Sequence, residues 1–311
     1  MTLVQLEYII ALDTWRHFAL AAEKSFITQP TLSMQIQKLE EELGVKIFDR
    51  TKQPVIPTEI GEAIIAQARI TLREAQAIRQ IIDEKKDTLS GEIRIGIIPT
   101  LAPYLLPQLY KTMRQKFPQL NLVIKESITE DIIHELKNNR LDCGVVVTPL
   151  QDASIKEKPL FYEELFVYVS SKNALAGKKY VLASDIDPNQ LWLLEEGHCF
   201  RSQVLNLCEL RKSSDFHFKY ETGNIETLKR MVDKSDGITI LPELAVMEFS
   251  KAQLKLVKRL KKPSPAREVS LVTHRNHIKT KLIHTLQEEI IKIVPVRMQA
   301  LWTKKVVDIN Y

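Results

Sequence analysis

The chain has 311 residues and a mass of 35.8 kDa, with 44% hydrophobic residues, 27% charged residues and a net charge of +5. These values predict a soluble protein of two or three domains, and the lack of a long apolar run or a secretion signal leads us to expect a cytoplasmic protein without membrane contact. Three cysteines are too few for a secreted disulfide scaffold, and the net charge is weak evidence for nucleic-acid binding because acidic residues outnumber basic ones in the first 60 positions.

Three short helices are predicted at the start of the chain. Apolar residues recur at helical spacing in 3–10, in 18–22 and most regularly in 30–43, where Thr28 is a candidate N-cap. The pattern predicts a helix-turn-helix, with a generic three-helix packing module as the alternative. Small, amide and basic side chains on the outer face of the third helix suit a DNA major groove. The candidate DNA-binding residues of this helix are Gln29, Pro30, Thr31, Ser33, Gln35 and Lys38.

A wing is predicted after the third helix. Residues 45–50 and 54–58 have the composition of two short strands joined by a polar turn. The turn would bring Arg50 and Lys52 to the DNA backbone. We therefore predict that residues 1–58 form a winged helix-turn-helix DNA-binding domain.

A long amphipathic helix follows over 59–87. Such a long apolar stripe on an otherwise polar helix needs a partner. We predict a linker and dimerisation helix over 59–89, the alternative being a helix that packs along its own chain. The stripe consists of Ile60, Ile64, Ala68, Leu72, Ala75, Ile78 and Ile82.

From residue 90 onward strands alternate with helices, which predicts an α/β domain with a parallel sheet. Ligands in such sheets bind beyond the carboxyl ends of the strands, where Thr100 and Thr129 are expected. Either threonine could bind a small polar molecule, although position alone favours helix capping. Cys143 lies in an apolar strand and is expected to be inert. The predicted strands are 92–98, 120–125, 143–147, 165–169, 192–194, 217–220 and 238–241, and the predicted helices include 102–117 and 130–139.

Two of the three cysteines, Cys199 and Cys208, lie nine positions apart in a segment with helical apolar spacing. In a helix their Cα atoms would be about 13 Å apart along the axis, whereas a disulfide needs Cα atoms within roughly 7 Å. A bond between the two thiols therefore requires the helix to melt. We interpret the segment as a redox switch whose oxidation changes the backbone structure.

The surroundings of Cys199 suggest the order of the reaction. Cys199 is predicted at a helix start between His198 and Arg201, and cationic neighbours favour the reactive thiolate. We predict that Cys199 is the peroxidatic cysteine, which forms a sulfenic acid, and that Cys208 is the resolving cysteine of the redox-active disulfide. The alternative is two buried cysteines that act as small hydrophobic residues. No common zinc spacing is present, so we expect no metal and no cofactor.

Motifs along residues 3–293 resemble those of LysR-type transcriptional regulators. The motifs shared with the family in general include Gln29-Pro30-Thr31-Leu32-Ser33, Phe48-Asp49-Arg50 and Gly237-Ile238-Thr239-Ile240-Leu241-Pro242. Within the family, the chain is similar to the hydrogen peroxide sensors through Gly96-Ile97-Ile98-Pro99-Thr100, Leu141-Asp142-Cys143 and Glu196-Gly197-His198-Cys199, together with Cys208.

This resemblance implies a regulatory domain over 90–295 built from two α/β lobes like those of periplasmic binding proteins. One lobe would combine about 92–161 with 267–295, and the other would span 162–266. The C-terminal tail, 296–311, is not matched. The resemblance further implies a peroxide pocket around Cys199 formed by Thr100, Thr129, His198, Arg201 and Arg267.

The resemblance also implies partners. These are promoter DNA, hydrogen peroxide, RNA polymerase, a reductant of the glutaredoxin and glutathione type, and further copies of the chain in a dimer or tetramer. The implied function is not an enzyme but a transcription factor that activates antioxidant genes in response to peroxide. The sequence departs from the usual pattern of the family at three places. The wing has few basic residues, Thr58-Glu59-Ile60-Gly61 replaces the commoner Thr-x-Ala-Gly, and Ser202 stands where an acidic residue often follows the arginine.

Three other functions remain open on the sequence. The first is a LysR-type regulator that responds to a small organic inducer, with incidental cysteines. The second is a thiol peroxidase fused to a DNA-binding module. The third is a solute-binding module alone, against which the N-terminal helix-turn-helix pattern argues.

Overall fold

The computed structural model describes residues 1–84, 89–195, 198–208, 223–277, 279–300 and 304–307. The chain divides into two compact units, Met1–Asp87 and Thr88–Tyr311. None of the helices in the described ranges combines the length and apolar character needed to cross a membrane. The predicted strand at 217–220 and the side chain of Ile82 lie outside the described residues.

The first unit is helical with a small wing. Its elements are α1 (Leu3–Trp15), α2 (Phe18–Lys24), α3 (Gln29–Leu43), β1 (Phe48–Asp49), β2 (Ile56–Pro57) and α4 (Glu59–Glu84). Helices α1 to α3 share an apolar core in which Ile9, Leu12, Leu32 and Ile36 are fully buried. The predicted helices and the antiparallel wing strands are confirmed, although each wing strand has only two residues. Thr28 is the N-cap residue of α3, but its hydroxyl bonds to the Thr31 hydroxyl and not to the helix backbone.

Glu40 fixes the wing to α3. Its side chain is 2% exposed, and one carboxylate oxygen accepts hydrogen bonds from the backbone N–H groups of Ile47 (2.8 Å) and Phe48 (3.2 Å). The other oxygen accepts a hydrogen bond from the guanidinium of Arg50 at 3.1 Å. A buried carboxylate is stable only when it is paired in this way, so Glu40 couples α3 to the start of the wing.

Helix α4 begins in close contact with the segment before the wing. A Cβ atom at Gly61 would lie 2.0 Å from the carbonyl oxygen of Ile47, so only glycine fits at this position. The Thr58 hydroxyl accepts a hydrogen bond from the Gly61 N–H at 3.0 Å and thereby caps the helix. Further along α4, Ile60 and Ile78 are 51% and 66% exposed, which leaves part of the predicted apolar stripe without cover inside this unit.

The second unit is built on one large sheet flanked by helices. Its described strands are β3 (Gly91–Ile97), β4 (Leu120–Glu126), β5 (Cys143–Thr148), β6 (Ile155–Val169), β7 (Tyr180–Val181), β8 (Leu191–Trp192), β9 (Ile238–Pro242), β10 (Val257–Leu260), β11 (Ser264–His274) and β12 (Lys304–Val306). Its described helices are α5 (Ala102–Lys116), α6 (Thr129–Lys137), α7 (Cys199–Leu207), α8 (Ile225–Lys234), α9 (Glu243–Met247), α10 (Lys251–Leu254) and α11 (Thr280–Ile293).

The sheet is mixed, so the predicted parallel sheet is only partly right. Strand β3 is parallel to β4 and β5, but β11 lies between β5 and β6 and is antiparallel to both. Strand β6 is also antiparallel to β9 and β10. The sequence prediction contained no strand at β11, because Arg267, Glu268 and Ser270 interrupt its apolar pattern.

Two apolar cores lie in this unit, and the long strand β6 contributes residues to both. The first core packs β3 to β5 and the amino-terminal half of β6 against α5, α6 and α11. The second core packs the carboxyl-terminal half of β6 and β9 against α7 and α8. The unit therefore consists of two lobes on one continuous sheet.

Candidate functional site

Helix α7 connects the two apolar cores. The predicted short helix is confirmed: it runs from Cys199 to Leu207 and Cys208 is its C-cap residue. Cys199 packs in the first core, whereas Phe200, Val204 and Cys208 pack in the second. Both thiols are free and buried, with Cys199 3% and Cys208 7% exposed. Joining them therefore requires at least one thiol to leave its core as well as the helix to melt.

Burial and Arg267 act in opposite directions on the Cys199 thiol. Burial raises the pKa of Cys199, and the nearby Arg267 guanidinium opposes this increase. The sequence led us to expect that His198 and Arg201 favour the thiolate. The cation that acts on the thiol is Arg267, from β11, which lies 68 positions away in the sequence.

Arg267 is held in a fully buried network. Its Nε donates to a carboxylate oxygen of Glu163 at 2.7 Å, and one terminal nitrogen donates to the Thr100 hydroxyl at 2.8 Å. Glu163 also accepts a hydrogen bond from the Leu244 N–H at 3.0 Å. The Arg267 guanidinium lies over the Phe200 ring, with its carbon 5.2 Å from the ring centroid. The network fixes the guanidinium between the sheet and the start of α7.

Thr100 and Thr129 lie beyond the carboxyl ends of β3 and β4, as predicted, but neither caps a helix. The N-cap residues of α5 and α6 are Leu101 and Ile128, and neither side chain makes a capping bond. Thr100 instead accepts the hydrogen bond from Arg267. Thr129 is 1% exposed, and its hydroxyl oxygen has no hydrogen-bond partner among the described residues. A buried hydroxyl without a partner beside a thiol can serve a small polar ligand.

His198 and Arg201 make polar contacts with the segment that precedes α7. The His198 ring is buried, and its Nε2 lies 3.5 Å from a carboxylate oxygen of Glu195. The Arg201 guanidinium donates to the backbone carbonyl of Leu194 at 2.8 Å. Both side chains therefore stabilise the entry into α7. Of the predicted pocket residues, the structure brings Thr100, Thr129 and Arg267 together with Cys199.

Burial also raises the pKa of the other two cysteines. Burial raises the pKa of Cys208 to about 12. Cys143 in β5 is fully buried, and burial raises the pKa of its thiol far above the usual value, as expected for an inert core residue. Cys199 is thus the one cysteine at which a neighbouring arginine opposes the effect of burial on the pKa.

Sequence reasoning missed Glu163, the buried partner of Arg267. One signal was available, because Glu163 and Glu164 stand side by side in the otherwise apolar stretch 160–169 of β6. A buried acid in such a strand needs a cation, and the only arginine of β11 is Arg267.

The candidate DNA-binding residues lie at the start of α3 and near the wing. Gln29, Pro30, Lys38 and Lys52 are exposed, and Thr31 and Ser33 are half-buried. Gln35 is partly engaged inside the unit, where its side-chain oxygen accepts a hydrogen bond from Gln5 at 3.4 Å. Arg50 donates to the Ser33 hydroxyl at 3.3 Å and also pairs with Glu40, so it is oriented before any contact with DNA.

Two family models match the chain, one for each unit. The model of the bacterial regulatory helix-turn-helix protein of the lysR family matches residues 3–62. The model of the LysR substrate binding domain matches residues 86–292.

Several relatives and solved structures are similar over most of the chain. The Escherichia coli K12 DNA-binding transcriptional dual regulator OxyR is 37% identical over 273 residues, which are 88% of this chain and 89% of the relative. The HTH-type transcriptional regulator EstR of Acinetobacter baylyi is 33% identical over 279 residues, 88% of this chain and 91% of the relative.

Among solved structures, a full-length OxyR cysteine variant from Pseudomonas aeruginosa has a TM-score of 0.81 and 33% identity. The match covers 96% of this chain and 98% of the Pseudomonas aeruginosa chain. An OxyR cysteine mutant from Corynebacterium glutamicum with hydrogen peroxide bound has a TM-score of 0.62 and 26% identity, and covers 94% of this chain and 92% of its own. With both family models matched in sequence order, the chain belongs to the LysR family of bacterial transcriptional regulators.

Proposed function

We propose that this LysR-family regulator senses hydrogen peroxide through Cys199 and Cys208 and activates antioxidant genes. Residues 1–58 would bind promoter DNA, 59–89 would dimerise and 90–295 would sense the oxidant. The observation that carries the proposal is the buried cluster at Cys199, where a fixed guanidinium and an unpartnered hydroxyl converge on a thiol. The relatives named as OxyR support the same function.

The residues at Cys199 suit peroxide as a ligand. The Cys199 thiolate would attack one peroxide oxygen and the O–O bond would break. The leaving hydroxide would take up the proton that the thiol had released, so that a sulfenic acid and one water molecule form. The Thr129 hydroxyl, which has no other partner in the described structure, would hydrogen-bond the peroxide, and Arg267 would stabilise the negative charge.

The second step would join the two thiols. The Cys208 sulfur would attack the Cys199 sulfenic acid, a disulfide would form and a second water molecule would leave. The two thiols together thus supply the two electrons that reduce peroxide to water. Because the disulfide requires α7 to melt, oxidation would change the regulatory unit and through it the oligomer on DNA.

The regulator would act in the cytoplasm with RNA polymerase, further copies of the chain and a thiol reductant. RNA polymerase would be the partner in activation, and the oligomer would be a dimer or tetramer that uses the exposed apolar residues of α4. A reductant of the glutaredoxin and glutathione type would restore the thiols, and the protein would act in the cytoplasm, where such reductants keep thiols reduced. Each oxidation would need a separate reduction, so the protein would act as a sensor and not as an enzyme.

DNA footprinting with and without peroxide, combined with mass spectrometry of the thiols, tests the proposal. We expect peroxide to produce a Cys199–Cys208 disulfide and to change the footprint. The Cys199→Ser variant should bind DNA but not respond, and Cys208→Ser should stop at the sulfenic acid. Absence of the disulfide in the peroxide-treated wild-type protein would refute the proposed switch.

A second candidate function is regulation by a small organic inducer. The similarity to EstR, at 33% identity over nearly the same length, favours it, because that relative's name does not refer to peroxide. This function predicts that Cys199→Ser leaves induction unchanged. The footprinting experiment therefore separates the two functions.

A further inference from the structure

The C-terminal tail forms a strand against the same sheet strand that carries Arg267. Strand β12 pairs in parallel with the start of β11, with Ser264 opposite Lys304 and Ala266 opposite Val306. The Val307 N–H then donates to the Ala266 carbonyl at 2.8 Å. This strand lies beyond residue 292, where the family model ends.

Strand β12 fills a position that the rest of the sheet leaves open. Strand β5 pairs with β11 only from Glu268 to Val272, so the β11 edge before Arg267 has no partner from β5. An unpaired strand edge exposes backbone donors and acceptors, and β12 satisfies them at this point. The segment before β12 is also anchored, because Met298 is fully buried and Arg297 pairs with Glu243 at 2.9 Å.

The tail also holds α7 through one buried side chain. Gln203 is fully buried, and its amide nitrogen donates to the Val307 carbonyl at 3.1 Å. Its amide oxygen has no hydrogen-bond partner among the described residues. Within the described structure, the side chain of Gln203 is therefore held by its hydrogen bond to Val307. Gln203 lies between the two cysteines, on the helix that must melt before they can join.

We propose that the C-terminal strand is a latch that stabilises the reduced helix, with Gln203 as the positioning residue that connects it to the switch. This inference rests on the proposed function, since it concerns the same pair of thiols. The Gln203–Val307 bond exists only while α7 is helical, so disulfide formation breaks it. Oxidation therefore releases the tail, and removal of the latch favours the disulfide.

A redox titration of the full-length protein in glutathione buffers tests the latch. In these buffers the Cys199–Cys208 disulfide reacts with two glutathione molecules to give two protein thiols and one glutathione disulfide. Alkylation of the free thiols followed by mass spectrometry measures the oxidised fraction of the protein. We expect Gln203→Met to shift the equilibrium constant toward the disulfide by about tenfold, which equals about 30 mV in reduction potential for this two-electron couple. Truncation after Ala300 should produce a similar shift.

Two controls show whether the tail acts through Gln203. Gln299→Met removes a tail amide that donates to the carbonyls of Ile291 (3.0 Å) and Val294 (3.1 Å), far from α7 in the sequence, and should leave the equilibrium unchanged. The double change, Gln203→Met with the truncation, should shift the equilibrium no further than the truncation alone, because both remove one interaction.

Hydrogen exchange gives an independent readout on the wild-type protein. The Val307 amide should exchange slowly in the reduced protein and faster after oxidation. Unchanged equilibria in Gln203→Met and in the truncated protein, with a normal disulfide in the wild type, would overturn the latch but not the proposed function. A wild-type protein that forms no disulfide would overturn both.

Discussion

The guanidinium of Arg267 and the carboxylate of Glu163 form an ion pair at 2.7 Å in which neither side chain has any exposed surface. Burial raises the pKa of Glu163, and Arg267 opposes this change. The pair therefore keeps a positive charge beside Cys199 inside a core that would otherwise exclude it.

Loss of the Arg267 charge should slow the oxidation of Cys199. In Arg267→Gln, the pKa of Cys199 should rise further, because the guanidinium that opposes the effect of burial is gone. At pH 7 we expect the second-order rate with hydrogen peroxide to fall by at least about tenfold. The rate can be measured by trapping the sulfenic acid with dimedone in a Cys208→Ser background.

This variant needs a control for stability, since removing one partner of a buried pair leaves an uncompensated charge at a cost of about 3–5 kcal/mol. The double variant Glu163→Gln/Arg267→Gln leaves a neutral pair and should unfold less readily than Arg267→Gln. Both variants should react slowly with peroxide. A wild-type rate in the folded double variant would contradict the role of Arg267.

The Thr129 hydroxyl should contribute to the reaction through a hydrogen bond to peroxide. Thr129→Val keeps the shape of the side chain but removes the hydroxyl that has no partner in the described structure. We expect the rate of Cys199 oxidation to fall about tenfold, the size of one hydrogen bond made in the transition state.

Thr129→Ser is the matched control, because it retains the hydroxyl and should keep most of the rate. The free energy of unfolding of Thr129→Val shows whether the Thr129 hydroxyl acts in the reaction or only in the fold. Removing a buried polar group without a partner should not lower the free energy of unfolding, so a less stable but equally reactive Thr129→Val would refute this role.

Local patterns predicted the helices of the first unit, the helix at Cys199 and the position of Thr100 and Thr129, because each depends on residues close in sequence. Local patterns did not predict strand β11. They also did not predict that Arg267 lies beside the thiol or that it pairs with Glu163. These features arise from strand pairing between distant segments, with Arg267 opposite Glu163 in the antiparallel register. The resemblance to the family supplied Arg267, but not its partner.

The predicted roles of His198 and Arg201 rest on the same kind of local pattern. Sequence proximity to Cys199 suggested that both act on the thiol, but side chains on successive positions of a helix start point in different directions. Arg201 donates to the Leu194 carbonyl, and Arg267, the cation that opposes the effect of burial on the pKa of Cys199, comes from β11.

Lys52 should contribute to DNA affinity through the phosphate backbone and not through sequence recognition. It is exposed at the tip of the wing. Lys52→Ala should weaken binding about equally for specific and nonspecific DNA, and the slope of log affinity against log salt should fall by about one. Fluorescence anisotropy at several salt concentrations measures the affinity for each DNA and the salt slope. Lys172→Ala, an exposed lysine of the other unit, is the control and should leave the slope unchanged.

Asp142 should make the stability of the regulatory unit depend on pH. Burial raises the pKa of this carboxyl, but Arg94 and Lys279 outweigh burial and hold the pKa below its usual value. The carboxylate lies 3.2 Å from Arg94 and 2.8 Å from Lys279, and it is 12% exposed. A depressed folded-state pKa stabilises the fold at any pH above the unfolded value of about 3.9, and this contribution disappears as the pH falls through the folded value.

We therefore expect Asp142→Asn to lower the free energy of unfolding by about 1–2 kcal/mol at pH 7. The difference from the wild type should stay constant down to about pH 5 and then shrink as the wild-type carboxylate becomes protonated. Urea unfolding at a series of pH values measures it. The control is Asp152→Asn, which removes the more exposed ion pair with Lys137. This variant should lower the free energy of unfolding by less than Asp142→Asn does. A difference that grows as the pH falls would contradict the depressed pKa, because an ionised Asp142 could then not be the stabilising form.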